Sequence, residues 1–185
     1  MILSAFETLY DRTPPAWVRK RETAELMDVF AQAFEVEPPN VRLLSADEAL
    51  SSFREFTAAC MEAALADDAL ALRYRQRLGT GACELGRKVR RMLAVRSSNA
   101  FAVARFFYRG IGIELSGEIP GRLRFGPCSF SVRYTPQSCW FMSAFDEGFM
   151  RGLSGCEGAD LSFSCRLTEG SPFCLATFEG KGDVS

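Results

Sequence analysis

Leu161, Phe163, Cys165 and Leu167 alternate with Ser162, Ser164 and Arg166. This is the period of a strand with one apolar and one polar face. Leu175, Thr177 and Phe178 favour a second strand, and Glu169-Gly170 lies between the two runs, with a glycine able to take the positive φ of a short hairpin loop. A two-residue loop sets Cys165 opposite Cys174; a three-residue loop with a glycine bulge moves Cys174 opposite Ser164 or Arg166. Ahead of the hairpin, Thr135-Pro136 opens a helix around Cys139 to Leu153 that carries spaced glycines.

The remaining chain sorts around this unit. Leu3 to Tyr10 fits a short helix stopped by Pro14-Pro15, and Thr23 to Phe34 a second with Leu26, Val29, Phe30 and Phe34 on one face. Ser45 and Glu48 form a capping-box pair for a helix over 46–65. Asp67-Asp68 begins the next, over 69–93, which the pattern fits only if Gly79 to Gly81 bends or interrupts it. A helix over 99–108 ends at Gly110-Ile-Gly112. Ile113 to Glu118, Arg122 to Phe125 and Cys128 to Tyr134 read as extended, with Phe130, Val132 and Tyr134 sharing a face and Gly126-Pro127 marking a bend or bulge. A frayed polar tail follows Glu179. Helices, two strands, a helix and two strands predict an α+β domain: an antiparallel sheet of about four strands (β-β-α-β-β) with helices packed on one face.

Composition excludes several chemistries. The chain has no histidine, so histidine triads, histidine-ligated haem and histidine proton shuttles are ruled out. Seven cysteines without a close C-x-x-C pair indicate neither a disulfide framework nor a zinc ribbon. No apolar run approaches the ~18 residues of a membrane span, and Met1 to Leu9 lacks the pattern of a secretory signal; a cytoplasmic protein is expected. Residues 71–125 carry twelve basic against three acidic side chains, whereas residues 1–70 carry six against thirteen. Either the acidic N-terminal helices lie against the basic segment, or the segment meets an anionic partner. Nucleic acid is not expected, since no aromatic-interleaved basic motif accompanies the charge.

The order Cys139-Trp140, a glycine-spaced helix, a strand bearing Cys165, a glycine turn and Cys174, preceded by Leu78-Gly-Thr-Gly-Ala-Cys-Glu-Leu-Gly86 and Gly110-Ile-Gly-Ile113, resembles the 4-vinyl reductase domain. That small-ligand module belongs to the superfamily of transport-protein-particle components. The resemblance covers roughly residues 78–179. It implies a ligand-binding domain over 66–180, leaving 1–65 as an N-terminal helical extension and 181–185 as a tail, and it implies pairing into a homodimer. In the family's sensors three cysteines and a glutamate hold a structural zinc. Cys139, Cys165 and Cys174 match the thiolates and Ser162 falls at the glutamate position; because the interval between the last two cysteines is one residue long, Arg166 is the alternative to Cys165.

Three functions are open to such a chain. The first is a small-molecule-binding domain with an apolar, aromatic-lined pocket built from Phe106, Phe130, Trp140, Phe145 and Phe149, with Arg109 receiving an anionic group of an aromatic or apolar ligand; Arg105, Arg122, Arg124 and Arg133 are further candidates for that role. The second is a Cys-dependent hydrolase or reductase, with Cys139 as nucleophile because a helix N-terminus stabilises thiolate. The third is a dimeric scaffold using the Ala-rich helices around Ala58 to Leu72.

Overall fold

The computed structural model describes residues 12–156 and 158–179. The helix expected at Leu3 to Tyr10 and the tail after Glu179 lie outside them. Five α-helices and four strands follow in order: α1 (Ala16–Phe34), α2 (Ala46–Ala64), α3 (Asp68–Met92), α4 (Ala100–Gly110), β1 (Ile113–Gly117), β2 (Gly121–Cys128), α5 (Pro136–Ser154), β3 (Asp160–Cys165) and β4 (Cys174–Glu179). The local signals act as written in the sequence. Ser45 and Glu48 close a capping box on α2, Asp67 caps α3, and Thr135 caps α5 with proline in its first turn.

The strands form one antiparallel sheet ordered β1-β2-β4-β3, so the two hairpins join through β2 and β4. Leu123 stands opposite Ala176, and Ala176 opposite Phe163, on the covered face. Arg122 and Ser162 both stand opposite Thr177 on the other face, which stays open. The molecule is therefore an α+β fold with its helices on one side of the sheet.

α5 is surrounded by protein on three sides. Phe141, Phe145 and Phe149, four residues apart, are fully buried. Phe145 stacks on Phe30 of α1 at 5.9 Å, Phe141 on Phe34 at 5.3 Å, and Phe149 on Phe107 of α4 at 4.4 Å. Burying each such ring stabilises by about 1.5–3 kcal/mol. Helices α1 and α2 thus share one core with the C-terminal half. The second side of α5 presents Ala144, Gly148 and Gly152 to Gly79, Cys83 and Gly86 of α3, and the two backbones touch: a methyl group at Gly148 would overlap the carbonyl oxygen of Gly79, and one at Gly152 that of Cys83. The third side faces the sheet with Cys139, Met142 and Asp146.

This contact corrects the sequence reading of α3. The helix runs unbroken through Gly79 to Gly81: the Gly79 carbonyl packs against Gly148 of α5, and a methyl group at Gly81 would lie 3.2 Å from the Val29 side chain of α1. Two further expectations fail. Residues 129–133 form turns instead of a strand: Phe130 and Tyr134 are buried, but Val132 is 82% exposed. The final loop is neither of the two tight hairpins; it spans 166–173 with a 3₁₀ turn at Leu167–Glu169 and Gly170 at φ 88°, and a register shift sets Cys165 opposite Leu175. Cys174 pairs with Phe125 of β2.

Part of the segregated charge pairs within the chain. Glu25 of α1 pairs with Lys88 of α3 at 3.0 Å, and Glu35 pairs with Arg73 at 3.5 Å and with Arg77. Exposed pairs of this kind contribute about 0–1 kcal/mol each, so they orient α1 on α3 more than they hold it there.

Gly148→Ala is expected to destabilise the fold by about 1–3 kcal/mol, the range of core overpacking. Gly79→Ala meets only ordinary contacts, the nearest being the Ala144 carbonyl oxygen at 3.4 Å, and should be neutral or stabilising by up to about 1 kcal/mol through helix propensity. Urea denaturation of the two variants checks the contrast; equal effects would contradict the backbone contact.

Candidate functional site

The loop between β3 and β4 closes over the first turns of α5. Cys139 follows the Thr135 cap by one turn, Cys174 opens β4, and Cys128 ends β2; all three border a crevice with Asp146, Arg166 and Tyr134. The backbone N–H of Leu167 donates to the Cys174 sulfur at 3.3 Å, and the Cys165 thiol donates to the Phe173 carbonyl at 3.6 Å. Burial pushes Cys128 up to about 12 and Cys139 up to about 11, and raises Cys174 as well. The Thr168 hydroxyl beside Cys139 opposes this shift without reaching hydrogen-bonding geometry.

Asp146 is the carboxylate at the floor of this crevice. Part of the residue remains accessible, yet its carboxyl lies deep enough that desolvation raises it to about 6, against the opposing effects of the Tyr108 hydrogen bond and the Arg166 guanidinium. The fully buried Tyr108 hydroxyl donates to Asp146 Oδ1 at 2.7 Å. A second buried pair, Thr57 and Tyr134, shares a hydrogen bond of 2.6 Å alongside. These polar groups satisfy one another, and the free space is about 60 Å³, room for two or three waters rather than a ligand.

The residues chosen from sequence do not converge on one pocket. Cys139 and Cys174 meet as expected, but Cys128 and Arg166, not Cys165, complete the crevice lining. Ser162 is exposed on the open face of the sheet. Among the described residues no group of three or more Cys, Asp or Glu takes up a metal-holding arrangement. Phe145 and Phe149 are core residues, Phe130 borders the crevice, and Trp140 is 38% exposed beneath the Arg75 guanidinium. Arg122 and Arg124 lie on the open sheet face, Arg133 pairs with Glu55 at 3.3 Å, and Arg105 lies over the Phe101 ring. Arg109 is half-buried on α4 and has a partner.

Phe106 belongs to a different place. A groove of about 370 Å³ runs between α1, α3 and α4, walled by Trp17, Leu85, Val89, Val103, Phe106 and Phe107. The α3 stripe Leu85, Val89 and Met92 continues its helical spacing beyond the core, and Trp17, Met92 and Leu93 expose 70%, 54% and 49% of their surface at the rim. Glu22 lines the same groove. One of its carboxyl oxygens is buried with no hydrogen-bond partner, in space that exists because Gly110 has no side chain. Desolvation first, and the neighbouring Glu25 second, raise its pKa to about 8.

Among the described residues no helix is long and apolar enough to cross a membrane. No family model, curated protein or solved structure matches the chain.

Asp146 carries a pH signature. Its folded pKa of about 6 lies above the ordinary 3.8, so between these values the folded chain holds more protons than the unfolded one, and stability falls as pH rises through about 6. The difference in unfolding free energy between wild type and Asp146→Asn should drop by on the order of 3 kcal/mol from pH 4 to pH 7. Urea titrations across that range measure it, and a flat difference would show an ordinary, solvated carboxylate.

Proposed function

We propose that the chain is a small-molecule-binding domain whose ligand lays an apolar body in the groove between α1, α3 and α4. The observation that carries this reading is the groove itself: about 370 Å³ of mostly apolar space with aromatic walls and a carboxyl group short of a partner. Small-ligand sites have this size and make-up, roughly 300–1,000 Å³ with few polar groups. The exposed rim residues support it, because contiguous apolar surface on a folded domain marks a binding surface more often than chance exposure does. Kinship with the 4-vinyl reductase domains, argued from the order of the glycine and cysteine motifs, points to the same class of function. The thiol chemistry favours no rival reading. A nucleophilic Cys139 needs a thiolate, and burial holds its proton. A homodimer formed through this groove is the competing occupant, and Leu72, 55% exposed on α3, offers a separate apolar contact for pairing.

The test uses Trp17 as reporter in a Trp140→Phe background. Saturable change in its emission on titration with 1-adamantanemethanol is expected, with Phe106→Ala weakening binding about tenfold, or about 1.4 kcal/mol. The exposed Met92→Glu should weaken it too while leaving the urea midpoint in place. An emission that drifts without saturating, or that these substitutions leave unchanged, would rule out the groove as a ligand site; native mass spectrometry reports whether a second copy occupies it instead.

A further inference from the structure

We infer that the ligand of this groove carries a protonated amine that pairs with Glu22. The inference rests on the groove reading above and adds the chemistry of the polar end. Among the described residues, the charged side chains beside Glu22 along α1 and α4 make other contacts, Arg19 with Asp47 at 2.7 Å among them. On α1, Glu25 accepts from Arg21 at 3.3 Å and from Lys88 of α3 at 3.0 Å. On α4, Arg105 engages Phe101, and Arg109 has a partner. From α4 it is Gly110, with no side chain, that meets the Glu22 carboxyl, beside Pro14. Among the carboxyl groups of the described residues, only Glu22 keeps a buried oxygen without a donor, and such a group costs free energy until a donor is supplied.

An ammonium group suits this carboxyl better than the alternatives. A carboxylate or phosphate would keep Glu22 in its protonated form and brings no donor for the buried oxygen. A neutral hydroxyl donates one hydrogen bond but leaves the carboxyl in its costly, desolvated state. An ammonium brings several donors and a charge, and in the low-dielectric wall of the groove that charge favours the ionised form of Glu22. Because Glu22 holds a proton near neutral pH, with a pKa of about 8, seating the amine releases that proton to solvent. The bookkeeping is one ammonium in, one proton out.

The experiment compares 1-adamantanemethylamine with 1-adamantanemethanol, which share an apolar body, on the Trp140→Phe protein. At pH 8 the amine is expected to bind at least tenfold tighter, and calorimetry at pH 7 should give heats that differ between phosphate and Tris buffers, as proton release requires. Glu22→Gln resembles the protonated acid in shape and should retain alcohol binding while erasing the preference. Equal binding of the two probes, or a preference that survives Glu22→Gln, overturns the amine inference and leaves the groove reading standing. Failure of both probes sinks the groove reading first, and calorimetric heats identical in the two buffers overturn proton exchange at Glu22 whatever the variant does.

Discussion

The backbone contact between α3 and α5 is the constraint on which the other packing choices depend. Gly148 and Gly152 on one helix, and Gly86 on the other, leave no room for a methyl group against the facing carbonyls. Each glycine in a helix interior costs about 0.5–1 kcal/mol relative to alanine, so the crossing is stable only because the close approach lets flanking side chains interlock. With that side of α5 fixed, its phenylalanine side is turned onto α1 and α4 and its third side onto the sheet. A wider crossing would pull Phe145 from Phe30 and Phe149 from Phe107, and the N-terminal helices would lose their seat.

Much of this was legible. The alternation in β3, the caps on α2, α3 and α5, and the glycines of α5 are local signals, and the element order they imply is the observed one. Charge segregation also translated into structure, since Glu25 and Glu35 meet the basic face of α3. The failures share a physical origin. Gly79 to Gly81 looks like a helix break because sequence shows the loss of propensity at a glycine but not the packing of α3 between α1 and α5, which holds the helix unbroken. Val132 fits the strand period beside Phe130 and Tyr134, yet three apolar residues at spacing two also suit consecutive turns that bury only the outer pair. The final hairpin was misjudged because its register is set by the bulge after Phe163 and a 3₁₀ turn, whereas Glu169-Gly170 alone suggests a tight loop.

The site was less legible than the fold. Cys139 and Cys174 were brought together by the helix-strand order, but Cys128 sits after the Gly126-Pro127 irregularity, where strand parity no longer tells which face a residue takes. Asp146 was missed because the aromatics at 141, 145 and 149 and the small residues at 144, 148 and 152 mark two buried sides of α5 but do not tell whether 146 or its neighbour Glu147 turns to the sheet. No local signal announces the groove. Its walls come from three helices separated by up to ninety residues, and each contributes only the outer margin of an ordinary amphipathic stripe.

The two buried carboxyl groups make opposite statements about function. Asp146 receives a hydrogen bond from Tyr108 and lies near Arg166, and the space beside it, about 60 Å³, is too small for more than water. Evidence of perturbed ionisation there is evidence of burial. Glu22 is similarly perturbed, but burial and a like charge raise it without any hydrogen bond to offset them, and the residue lines a groove of ligand size. A desolvated acid with its partner present is explained by the fold. A desolvated acid without one costs stability that packing alone does not repay, and a donor arriving from outside the chain is the simplest way to recover it.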